Sequence, residues 1–147
     1  MTRTCLQVSH EVHIDAPVRH VWRTLTEDLT TWWHTVSRRG SHEASLDAFV
    51  GGQLLEGGGS GRRGGPVWGT VTGLCETRYL EMCGRMDLPA GVRGFLEVDL
   101  DGTASGTSLR ITHRASGPWE ATRWALATSG WALTAGTLRD VVEGRPA

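Results

Sequence analysis

A chain of 147 residues with a formal net charge of −1 can bury one ordinary core. The near-neutral balance argues against a nucleic-acid binder, and no apolar run approaches the roughly 18 residues of a membrane span. Cys5, Cys75 and Cys83 show no CxxC spacing, which argues against a disulfide framework or a thiol metal site and predicts buried or half-buried reduced thiols. The N-terminus has no apolar signal-like segment, so a cytoplasmic location is the expectation.

From Cys5 to Asp15 the residues alternate. Leu6, Val8, His10, Val12 and Ile14 share one face, and Gln7, Ser9, Glu11 and His13 the other. Period two predicts a strand with one buried face, His10 inward and His13 outward. Residues three apart on a strand point to opposite faces, so the His10–His13 spacing cannot serve one ion and no metal is expected.

Asp15-Ala16-Pro17 predicts a strand end and a helix start, with Asp as a cap. Val18, Val21, Trp22 and Leu25 then form one helical stripe, which assigns Trp22 to the core. A second short helix is predicted over Leu29–His34. There Trp32 and Trp33 are adjacent and should not both face inward, so one is expected at a pocket mouth or exposed.

Leu46–Val50 reads as a short apolar stretch, with Gly51-Gly52 turning into a strand at Gln53–Glu56. Gly57 to Gly65 reads as a flexible hairpin loop whose Arg62 and Arg63 are solvated, since no phosphate-loop pattern surrounds them. Val67–Cys75 and Arg78–Gly84 predict a hairpin. Val92–Leu100 and Thr107–Ala115 predict another around Asp101-Gly102-Thr103. On the last strand Leu109, Ile111 and His113 face one way, which puts a second histidine on an apolar face. Glu and Asp fall mostly on outward positions, such as Glu97 and Asp99.

After Gly117-Pro118 one long helix is predicted from Trp119 to Glu143, with Trp124, Thr128, Trp131, Ala135, Leu138 and Val142 on one face. Leu126 and Leu133 lie nearly opposite. The predicted order is a strand, two short helices, about six antiparallel strands and a long helix. That is an α+β domain in which a curved antiparallel sheet wraps a C-terminal helix.

Three stretches carry a resemblance. Ile14-Asp15-Ala16-Pro17 with Val21-Trp22 is the first. Gly51-Gly52 with Trp68-Gly69-Thr70-Val71 is the second. Ser129-Gly130-Trp131 with Leu138 and Val142-Glu143-Gly144 is the third. In this order they resemble the START/Bet v 1-like (SRPBCC) superfamily, the helix-grip fold. Within it they resemble the bacterial proteins related to the C-terminal domain of the activator of Hsp90 ATPase. The resemblance covers nearly the whole chain as one domain, 1–147. It implies a hydrophobic cavity for an apolar molecule, and in some relatives cyclase or dehydratase activity. The resemblance does not extend to the extra N-terminal domain of the eukaryotic co-chaperone, which is not expected here.

Seven tryptophans in a chain with two phenylalanines and one tyrosine sharpen that expectation, because such a set fills a bulky core or lines a cavity. The expected ligand-binding residues are His10, Trp33, Trp68, Met82, His113, Trp124, Thr128 and Trp131. His10 and His113 are read either as hydrogen-bonded core histidines or as polar groups on the pocket wall. The leading function is binding of a small hydrophobic molecule between sheet and helix, without a cofactor. One alternative is a cyclase or dehydratase acting on a polyketide-like substrate, with His10 or His113 as acid/base. Another is a co-chaperone-like interaction module. A homodimer through Trp119, Leu126 and Leu133 is also expected.

Overall fold

The computed structural model describes residues 4–33, 44–56, 67–86, 88, 90–118 and 121–144, without the side chains of 4 and 121–129. The loop holding Arg62 and Arg63 lies outside these residues, as do Trp119 and the side chains of Trp124, Leu126 and Thr128.

Strand β1 (Thr4–Ile14) alternates as its sequence does, ending in the fully buried Ile14. Helix α1 (Val18–Glu27) follows and buries Val21, Trp22 and Leu25. Pro17 sits at its cap position, and the Pro17 carbonyl accepts from the His20 and Val21 N–H groups. Asp15 does not cap. Its N–H donates to Glu143 Oε2 at 2.8 Å, tying this corner to the far end of the chain. Gly106 makes the same corner possible, since a Cβ there would lie 2.2 Å from the Ile14 carbonyl oxygen.

The second short helix opens as a 3₁₀ turn, Leu29–Thr31, broken at Trp32; Trp33 returns to 3₁₀ geometry, and His34 lies outside the described residues. Six strands follow: β2 (Ala44–Leu46), β3 (Gln53–Glu56), β4 (Val67–Cys75), β5 (Tyr79–Gly84), β6 (Arg93–Thr103) and β7 (Gly106–Gly117). The expected apolar stretch Leu46–Val50 is displaced. Leu46 ends β2, while Phe49 and Val50 sit exposed in the turn that leads to β3. The glycine pair explains this. A Cβ on Gly52 would lie 1.9 Å from the Asp47 carbonyl oxygen, so the chain doubles back tightly there and residues 47–50 become the turn.

The sheet is antiparallel with order β1-β7-β6-β5-β4-β3-β2. Helix α2 (Ala121–Glu143) closes the chain and buries Trp131, Ala135, Leu138 and Val142. These join the sheet residues and α1 in one hydrophobic core. No helix among the described residues is long and apolar enough to cross a membrane. Two of the three thiols depart from expectation. Cys5 and Cys75 are exposed and Cys83 is half-buried, because all three fall on outward strand positions.

Candidate functional site

Four indoles and one imidazole converge where α2 meets the sheet. Trp33 stands edge-on to Trp68, with ring centroids 4.8 Å apart and planes at 89°. It also meets Trp32 at 5.5 Å and Trp131 at 6.3 Å. Trp68 lies 6.2 Å from Trp131 and 6.3 Å from His113. Edge-to-face packing of this kind sets the positive ring edge against the negative face and adds about 1 kcal/mol per pair beyond burial.

Each of three indole N–H groups has a named acceptor. Trp32 donates to the Thr24 carbonyl at 3.0 Å, Trp33 to Glu56 Oε2 at 2.7 Å, and Trp131 to His113 Nδ1 at 2.9 Å. Trp32 and Trp33 are both buried, at 3% and 2% exposure, against the expectation that one would face out. The 3₁₀ turn stops at Thr31, and Trp32 has φ −134, outside helical geometry. Helical spacing therefore no longer sets the two side chains apart by a fixed angle, and each finds its own interior acceptor.

Glu56 is the residue that sequence reasoning missed. It is 1% exposed, a carboxylate inside the core. The signal was present, because Leu54 and Glu56 are two apart on β3 and share the inward face. A buried carboxylate is costly unless hydrogen-bonded, and the Trp33 N–H supplies one such bond.

His113 is 3% exposed on β7, and burial pushes its imidazole down to about 4 from the ordinary 6.5. At neutral pH the ring is therefore uncharged. An indole N–H can only donate, so Nδ1 accepts and the ring proton resides on Nε2. His10 faces inward opposite Ile111 on β1 but is half-buried, and His13 is exposed on the other face.

Beside this cluster lies an apolar void of about 10 Å³, near the volume that one water's centre would sweep. The end of α1 and the turn after it supply Leu25, Leu29, Trp32 and Trp33. β2 and β3 supply Leu46 and Leu54. β5, β6 and β7 supply Leu80, Met82, Leu96, Val98 and Ile111, and α2 supplies Trp131. Of the residues expected from sequence, Trp33, Met82 and Trp131 thus share one wall. Trp68 packs behind Trp33, and His113 sits one hydrogen bond behind Trp131. His10 is not part of that wall.

No protein-family model matches the sequence, and no curated protein matches it. Solved structures do. An uncharacterised protein from Rhizobium leguminosarum superposes with a TM-score of 0.72 at 13% identity, over 98% of both chains. The Aha1 dimer from Colwellia psychrerythraea gives 0.67 at 23% identity, covering 94% of this chain and 96% of that one. CalU16 from Micromonospora echinospora gives 0.66 at 19% identity, covering 97% and 76% respectively. These structures share the fold of this chain, a curved antiparallel sheet with a C-terminal helix. Identities this low speak to fold alone.

Proposed function

We propose that the chain binds a small hydrophobic molecule between the sheet and α2, at the apolar void bounded by Trp33, Met82 and Trp131. The observation that carries this reading is that these three residues, from three distant parts of the chain, line one interior surface. Trp68 and His113 would hold Trp33 and Trp131 in place from behind. Trp124 and Thr128, at helical spacing from Trp131, would extend the wall, and His10 would border it from β1. A kinship with the bacterial relatives of the Hsp90 activator belongs to the same proposal. It rests on the three sequence stretches that carry the resemblance.

A small-molecule pocket usually needs roughly 300 Å³ or more. The void is about 10 Å³, so binding must push side chains apart. Met82 is the wall residue best able to move, being unbranched with three rotatable bonds. Each Å² of apolar ligand surface removed from water then contributes about 25 cal/mol toward that opening. Titration with the neutral fluorophore N-phenyl-1-naphthylamine tests the reading. Saturable probe emission with matching quenching of tryptophan fluorescence supports it. No response to this probe or to a panel of apolar ligands overturns it.

Proton transfer at His113 is less well supported than binding. A ring with a pKa near 4, its Nδ1 already accepting from Trp131, is a weak base at neutral pH. A homodimer through the rear of α2 is a second proposal, supported by Leu133, which is 66% exposed. Light scattering at micromolar concentration tests it. A dimeric mass that falls to monomer in Leu133→Glu is expected, and a monomeric unaltered chain overturns it.

A further inference from the structure

Leu29 and Leu46 face two hollows at once. On the inside they line the void beside the indoles. On the outside they line a surface groove of about 450 Å³, between the end of α1 and the turn that carries Phe49. The two leucines are a wall shared by the interior and the surface.

Among the described residues, that wall lies along a lightly bonded boundary of the site. β2 is a three-residue edge strand, bonded to β3 on one side through three residue pairs. Across its other side, among the described residues, no backbone hydrogen bond joins it to the 3₁₀ turn. The Thr30 hydroxyl bridges the gap instead. It donates to the Ala44 carbonyl at 3.2 Å and accepts from the Ala44 N–H at 3.3 Å, and both bonds are exposed to water. The opposite boundary is far stronger. β6 and β7 pair over eleven residues, and α2 is pinned through the buried Trp131–His113 bond.

We propose that the groove is a vestibule where an apolar ligand docks on its way in, with Leu29 and Leu46 as a door and the Thr30 hydroxyl as its latch. This rests on the binding function proposed for the indole site. Continuity fixes the occupant, since the same two side chains contact both hollows. Phe49, 59% exposed at the outer lip, offers the ligand its first apolar contact. The latch holds the door shut whether the interior is empty or filled, so it controls rates more than affinity.

Stopped-flow mixing with N-phenyl-1-naphthylamine tests the proposal on three variants. Thr30→Val keeps the side-chain shape and deletes both bonds. It should speed uptake and release about threefold to tenfold, as the loss of one or two modest hydrogen bonds predicts, with Kd changed less than about twofold. Leu46→Ala thins the door and should also speed uptake. Thr31→Val removes a hydroxyl that bonds within the turn, to the Asp28 carbonyl at 2.6 Å, without reaching β2. It should match the unaltered protein, which separates the latch from general loosening of the turn. Unchanged rates in both Thr30→Val and Leu46→Ala overturn the door, and so does equal acceleration by Thr31→Val. Absence of equilibrium binding to the unaltered protein instead overturns the binding function, and the vestibule with it.

Discussion

Trp33 and Trp131 do the same thing from two distant parts of the chain: each hands an indole N–H to a buried acceptor. The acceptors differ in kind. Trp33 meets the carboxylate of Glu56, and Trp131 meets the imidazole of His113. An imidazole escapes the cost of burial by giving up its charge, and its depressed pKa records that. A carboxylate accepts stronger hydrogen bonds and loses more when a donor is removed. Indole burial therefore rests on two acceptors of different chemistry within one cluster.

The largest effect that would sharpen this contrast is pH dependence. As pH falls, the unfolded chain protonates His113 near 6.5, while the native ring resists until about 4. The unfolded state then binds more protons, so stability is full above about pH 6.5 and is lost as pH drops toward 4. Over that window the loss amounts to about 3 kcal/mol. Urea denaturation midpoints at the two ends of the window measure it. His113→Asn, which keeps an acceptor for Trp131 and cannot titrate, should flatten that part of the curve.

Next come the Trp→Phe substitutions, read beyond their common loss of indole surface. Trp33→Phe strips a donor from a buried carboxylate and should cost about 2 kcal/mol. Trp131→Phe strips one from a neutral ring and should cost about 1 kcal/mol. The reverse order in chemical denaturation would break the comparison. Trp32→Phe should cost least, about 0.5 kcal/mol. Its acceptor, the Thr24 carbonyl, also receives the Asp28 N–H and so stays bonded.

Much of this architecture was readable in advance where one periodicity ran unbroken. β1 and β7 alternate, and the first hairpin falls where expected, but the second turns at Ala104-Ser105, because Asp101, Gly102 and Thr103 pair with Ser108, Thr107 and Gly106 in the ladder. Trp131 was legible in the same way, since helical spacing put it on the inward stripe of α2, where it is buried. Legibility failed where periodicity broke. A 3₁₀ turn ended between Thr31 and Trp32, so a helical rule misplaced the adjacent indoles. β3 is four residues long, and its inward phase was overlooked behind the expectation that a glutamate faces water. The Asp47–Gly52 turn depends on a backbone approach at Gly52 that no pattern of apolar residues reports.

The spacing of the indoles also makes the cluster an optical device. Trp33 sits 4.8 Å from Trp68 and 6.3 Å from Trp131, so excitation absorbed by one ring migrates among its neighbours before it is emitted. Emission then reports the lowest-energy ring of the group rather than an average of independent chromophores. Any guest that displaces one member re-routes the excitation of the others. A site with almost no empty space would thus announce its own opening in a spectrum, without a label.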